Sequence, residues 1–368
     1  MEILAAVVEE RDGPFSLQTV ELDEPGPGEV LVRLVATGIC HTDELARHGD
    51  LPFPLPGVLG HEGAGRVAAV GAGVTEVSVG DGVVIGWPSC GRCRNCREGQ
   101  PRYCARLGEA LAGGGRLDGG SALRRASGAP LHSHFFGQSS FASHSLTTAA
   151  ALVKVPDYMP LELMGPLACG ISTGAGAVFN DARPSAGDSL VVYGAGTVGL
   201  AAVMAARNSA ATRIIAVDRH DHRLQLATEL GATHVVNATR DEPAAAVHDI
   251  CGGPADISLE CTGVLSVVRQ AADSVGMLGT CYLIGGAPAG AEFTLDHIST
   301  LWGKRIVGIL GGSGQSTQLI PAVMDLFTQG RFPFDKLVEF YDFTDVAKAL
   351  DASNAGTVIK PILRIGPS

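Results

Sequence analysis

The chain has 368 residues, more than one hydrophobic core usually organises, so two domains are expected. Twenty-seven Lys and Arg against 38 Asp and Glu give a formal net charge of −11, which repels nucleic-acid backbones and anionic lipid and argues against both as partners. The opening MEILAAVVEERDG lacks the basic segment of a secretory signal, and nine cysteines without one point to metal or core roles, with the cytoplasm as the expected location.

That opening reads as a first strand. Further short β-runs broken by Gly and Pro follow at Glu29 to Ala36, Gly63 to Val70 and Gly82 to Trp87, which predicts an all-β, barrel-like half up to about Ala150. Gly113 to Gly128, rich in Gly, Ser and Arg, reads as a long surface loop. From Leu190 the pattern changes to strands alternating with helices: Leu190 to Tyr193, a helix to about Ser209, then strands at Arg213 to Val217, His234 to Asn237, Ile257 to Glu260 and Gly279 to Ile284, with a helix around Leu224 to Leu230. Such alternation implies a parallel sheet wrapped by helices. The β-like end, Gly356 to Ile365, breaks the alternation and is expected to rejoin the first half. Leu190 to Ala206 is apolar, but its glycines and marginal length fit a strand, turn and helix better than a membrane span.

Cys90, Cys93, Cys96 and Cys104 have the spacing C-x2-C-x2-C-x7-C. Four thiolates this close can surround one zinc and close its tetrahedron, so the site they predict is structural. Arg92, Arg94 and Arg97 favour the thiolate form. Free thiols and an iron–sulfur cluster are the alternatives. A second set is scattered: Cys40 in GICHTDE, His61 in GVLGHEGAG and Cys169 in PLACGISTG. Singly, each is an ordinary core cysteine or a satisfied histidine. Together they supply the Cys2His set of a catalytic zinc with one open position, with Glu62 as an exchangeable or supporting carboxylate and Asp43 as the group that orients the His61 ring.

Gly194, Gly196 and Gly199 in VVYGAGTVGLAAVMAA stand between an apolar strand and a helix, the context in which G-x-G-x-x-G marks a dinucleotide site. The phosphates then sit on the helix N-terminus. Asp218, at the end of the next strand, suits two ribose hydroxyls and opposes a 2′-phosphate, which favours NAD over NADP; Arg219 beside it pulls the other way. Two similar runs, at Gly71 and Gly73 and at Gly174 and Gly176, lack the third glycine and read as turns or tight packing. Cys251, Cys261 and Cys281 read as core.

GICHTD, LPGVLGHEGAGRV, the four-cysteine lobe, HFFGQSSFASHSL, LACGISTGAGAVFN and GAGTVGL resemble, in order and over essentially the whole chain, the zinc-containing medium-chain alcohol dehydrogenases, and most of all their benzyl or aryl-alcohol subgroup. The resemblance implies an α/β two-domain fold: a GroES-like, β-rich catalytic domain from residues 1–170 and 311–368, with the structural-zinc lobe at about 88–106, and a Rossmann NAD-binding domain, a doubly wound parallel sheet, at 171–310. It also implies two zincs per chain, NAD as cofactor, and a homodimer paired through nucleotide-domain sheet edges, or a tetramer. By position, Thr42 would take the alcohol proton. His41 and Lys360 would contact the pyrophosphate and Arg223 the ribose beside Asp218. Thr173 and Val198 would border the nicotinamide, and Leu310 would also touch the cofactor. Where well-known members continue the proton relay with a histidine, this chain has Leu45; water or His48 would finish the relay.

Phe135, Phe136 and Trp87 match or lie beside substrate-pocket positions, and bulky apolar walls favour benzyl, cinnamyl or terpene alcohols over ethanol; the alternative is that these rings are core. A secondary-alcohol or polyol dehydrogenase on the same scaffold, and a non-catalytic NAD- and zinc-binding redox sensor, are the competing readings.

Overall fold

Glu29–Gly38, ten residues rich in Val and Leu, is the hub of the first half, pairing antiparallel with Gly63–Val70, His144–Thr148 and Lys360–Arg364. Nearly every residue along it is buried, which explains its near-continuous apolar run. The computed structural model describes residues 1–366. It divides into two units: Met1–Cys169 with Gly314–Ala322 and the segment from Asp335 onward, and Gly170–Ser313 with Val323–Phe334.

In the first unit, a seven-stranded, barrel-like sheet runs through Leu152–Val155, Gly82–Ile85, Gly63–Val70, Glu29–Gly38, Lys360–Arg364 and Val338–Asp342, with His144–Thr148 on the hub strand. The chain's last strand thus returns to the first half, bringing Ile362 opposite Gly38. A five-stranded sheet includes Glu2–Val8, Phe15–Leu22 and Leu123–Arg125. The segment expected to be one long loop therefore contains a strand. The reason is local: beyond the glycines, Ala122 and Leu123 are apolar and bury in the core.

The second unit is a six-stranded parallel sheet in the order His234–Asn237, Arg213–Asp218, Ser189–Tyr193, Ala255–Glu260, Val275–Leu283, Arg305–Gly308. The chain starts at a central strand, winds outward to one edge and then to the other, the doubly wound order that opens a crevice at the carboxyl end of Ser189–Tyr193. That strand is fully buried. Among the described residues, no helix is long and apolar enough to cross a membrane.

Candidate active site

The helix His41–His48 places the first cluster. Cys40 is its N-cap, and the Asp43 carboxylate accepts from the Cys40 backbone N–H at 2.9 Å, so a capping interaction fixes the thiol at the helix start. The other oxygen of Asp43 lies 2.9 Å from His61 Nδ1 and accepts from the Gly60 backbone N–H at 3.1 Å. Cys40, His61, Glu62 and Cys169 each offer a ligand atom, all within 4.8 Å of one another. Burial pushes the His61 pKa down, but the Asp43 carboxylate and Cys40 beside it together raise it above its ordinary value.

A metal fits this set on the chemistry of the donors. His61 Nε2 is buried and has no hydrogen-bond partner among the described residues, while Nδ1 is held by Asp43, so Nε2 is the ring nitrogen left to face the cluster. Two thiols and one imidazole make the Cys2His combination of an open zinc site. The Thr42 hydroxyl is 3.7 Å from Cys40 Sγ, beside the cluster.

Glu62 carries a second interaction. Lys360 is 2% exposed, and its ammonium donates to both Glu62 oxygens at 2.9 and 3.0 Å and to the Ile39 carbonyl at 2.8 Å. Burial raises the Glu62 pKa, with Lys360 opposing. Lys360, expected at the pyrophosphate, is thus also tied to the metal-site carboxylate. His48 points outward: its ring nitrogens face Asp12 and Glu44, and Leu45 lies half-buried on the same helix.

Phe135 has no exposed surface and packs edge-on against Phe53 and His61; Phe136 lies 4.6 Å from the His61 ring. Trp87, half-buried, meets Phe136 edge-on at 5.1 Å. Phe135 and Phe136 are thus both buried against the histidine, and Trp87 is half-buried beside them.

Cys90, Cys93, Cys96 and Cys104 form the other cluster, their sulfurs within 4.8 Å of one another. Backbone N–H groups turn inward on them: Cys93 N–H donates to Cys90 Sγ, Ala105 N–H to Cys93 Sγ and Arg106 N–H to Cys104 Sγ, each at 3.4 Å. Backbone N–H groups of Ala105 and Cys96 pull the Cys93 thiol down to about 6, whereas burial and the neighbouring sulfurs push Cys96 up to about 12. Four thiols with thiolate-stabilising donors fit a closed zinc site.

In the second unit, each turn glycine has a visible reason. Gly194 has φ +94°, and a Cβ there would meet Thr262 at 2.7 Å. A Cβ on Gly199 would lie 1.8 Å from the Gly194 carbonyl oxygen, whereas at Gly196 it would meet nothing within 4 Å, the open side a pyrophosphate needs. Gly196 caps the helix Thr197–Arg207. Asp218 accepts from the Ala195 backbone N–H at 2.7 Å and from that of His220 at 2.9 Å, tying the ribose-side carboxylate to the turn. Val198 and Arg223 are half-exposed, Thr173 is buried and Leu310 is 37% exposed. Sequence reasoning missed Glu260. Fully buried, it accepts from the Thr262 backbone N–H at 2.7 Å and shapes the loop beside Gly194; a carboxylate ending the apolar strand ISLE was the available signal.

Residues 26–157 match the alcohol dehydrogenase GroES-like domain family and residues 197–329 the zinc-binding dehydrogenase family. The chain is 41% identical to geraniol dehydrogenase from Castellaniella defragrans, over 98% of this chain and 96% of that one. It is 33% identical to S-(hydroxymethyl)glutathione dehydrogenase from Paracoccus denitrificans, over 99% and 100%. The crystal structure of benzyl alcohol dehydrogenase from Acinetobacter calcoaceticus superposes with a TM-score of 0.96 at 42% identity, covering 100% of both chains. With two zinc-suited clusters and a dinucleotide turn on this scaffold, the chain belongs to the zinc-containing medium-chain alcohol dehydrogenase family.

Proposed function

We propose that this enzyme oxidises primary aryl or allylic alcohols to aldehydes, and reduces the aldehydes in reverse, with NAD as the partner. The observation that carries the reading is the Cys40, His61, Cys169 set, with His61 Nε2 unpartnered among the described residues, beside the rings of Phe136 and Trp87. Bulky aromatic side chains suit planar, apolar alcohols and leave ethanol poorly packed. The benzyl alcohol and geraniol dehydrogenases similar to this chain support the same class.

Cys40, His61 and Cys169 hold the catalytic zinc and the four-cysteine cluster holds a second. Bound there, zinc supplies Lewis acidity that lowers the pKa of an alcohol hydroxyl, and NAD supplies the hydride acceptor. Asp43 keeps the His61 ring turned to its task, and Lys360 neutralises Glu62 so that the two thiolates are not joined by a third uncompensated charge. Thr42 relays the alcohol proton, taking it on its hydroxyl oxygen as it passes its own proton onward. His48, engaged with Asp12 and Glu44, is poorly placed to extend the relay, which leaves water as its end. On the cofactor side, Gly194, Gly196 and Gly199 admit the pyrophosphate, with His41 and Lys360 as further contacts. Asp218 selects NAD, Arg223 supports the ribose, and Thr173, Val198 and Leu310 border the rest of the cofactor.

A second copy of the chain is the proposed partner, paired through the Arg305–Gly308 edge of the parallel sheet. Met277, Leu278, Leu301 and Trp302 beside that edge are each more than half exposed, a burden a solitary chain seldom carries.

The test is kcat/KM across benzyl, cinnamyl and geranyl alcohols, ethanol and S-(hydroxymethyl)glutathione, with NAD and NADP. Aryl and allylic alcohols with NAD are expected to lead; ethanol or the glutathione adduct in front would refute the reading.

A further inference from the structure

Arg102 is 2% exposed, yet among the described residues no carboxylate pairs with it. Its Nη2 donates to the Ser316 hydroxyl at 3.0 Å, while Nε and Nη1 are buried without a partner among the described residues. The guanidinium lies over the Trp87 ring, 4.6 Å from its centroid, and the Trp87 indole N–H is likewise buried without an acceptor. Three donors and one fixed positive charge therefore meet in one place. Such an arrangement is costly unless an acceptor completes it, and a charged donor rewards an oxygen acceptor more than a neutral one does. The contrast within the same unit is direct: the other deeply buried cation, Lys360, is fully committed to Glu62 and a carbonyl.

The place is connected to the chemistry. From Arg102 the contacts pass to Trp87, then edge-on to Phe136 at 5.1 Å, then to the ring of His61 at 4.6 Å. These are the same two rings that pack beside His61 of the metal cluster.

We propose that Arg102 and the indole N–H of Trp87 form a specificity-determining donor pair that binds an oxygen acceptor carried by the substrate, remote from the hydroxyl that is oxidised. The favoured substrate is then an aryl alcohol bearing a carboxylate on its ring. The inference rests on the aryl reading for the ring, though not for the acceptor. Arg102 touches the remote end of the substrate and takes no part in the hydride or proton step.

The experiment compares kcat/KM for 4-(hydroxymethyl)benzoate against benzyl alcohol, and for 6-hydroxyhexanoate against 1-hexanol, in the zinc-loaded enzyme with NAD. Binding of 4-(hydroxymethyl)benzoate without NAD is followed by calorimetry. In the wild type each acid is expected to exceed its neutral counterpart by about tenfold or more, mainly through KM. In Arg102→Met that ratio collapses towards one, and in Arg102→Lys it is partly restored. A wild-type ratio at or below one, or a ratio that survives in Arg102→Met while both rates fall together, overturns the proposal and assigns Arg102 to packing. Should Arg102→Met not fold, the wild-type ratios and calorimetry decide alone. If both aryl alcohols trail 1-hexanol while 6-hydroxyhexanoate keeps its advantage, the aryl reading fails and the donor pair stands.

Discussion

His61 Nδ1 lies 2.9 Å from Asp43 Oδ1, and this one contact turns the opposite nitrogen, which has no partner among the described residues, towards the cysteines. Asp43→Asn removes the charge that holds the ring and leaves the four-cysteine cluster untouched. The expected outcome is about 10–100-fold weaker zinc binding at the catalytic site with the second zinc retained, measured by titration with a competing chelator.

Asp218 bonds the turn it is expected to serve, accepting from Ala195 N–H at 2.7 Å. Asp218→Asn keeps an acceptor for that N–H but loses the charge that opposes a 2′-phosphate. The ratio of kcat/KM with NAD to that with NADP should fall by about tenfold or more, a charge-assisted contact being worth that much. An unchanged ratio would transfer cofactor choice to other residues, with Arg219 first among them.

Much of this was legible in the sequence. The four cysteines within fifteen residues and the glycines between strand and helix carry their geometry in their spacing, because each set is built from one stretch of chain. Asp43 and His61 were readable as a pair only because a metal-bound histidine needs an orienting group. Lys360 and Glu62, 298 positions apart, were not. Their meeting depends on the last strand returning to the hub strand, and no local pattern reports which end of Lys360–Arg364 faces the metal site. Arg102 escaped for another reason: an arginine is so seldom buried that nothing in PRYC marks this one. Ala122 and Leu123 show the limit of composition, since the glycines before them masked a strand.

The exposed side chains beside the sheet edge make a prediction about assembly. Leu278 is 80% exposed and Met277 67%. If a second copy covers them, Leu278→Asp should shift the mass measured by light scattering from two chains to one, while the circular dichroism spectrum stays that of a folded protein. A wild type that is monomeric at micromolar concentration would contradict the pairing.

His134 predicts a pH effect on stability. Burial, reinforced by the nearby cation of Arg116, lowers its pKa from 6.5 to about 4. Between those values the unfolded chain binds the proton and the folded one does not. Its contribution is therefore complete above pH 6.5 and is lost as the pH falls to 4, by roughly 3 kcal/mol in all. His134→Asn, which tolerates the left-handed backbone there, should flatten the decline in denaturant midpoint across that window; an identical decline in both proteins would count against the buried neutral ring.

The measurement closest to the central claim is zinc content together with NADH formation from benzyl alcohol in Cys40→Ser. The account predicts two zincs per chain in the wild type, one in the variant with the four-cysteine site still filled, and loss of alcohol oxidation while NAD still binds. Two zincs and undiminished oxidation in Cys40→Ser would contradict the assignment of Cys40, His61 and Cys169 as the metal site on which catalysis depends.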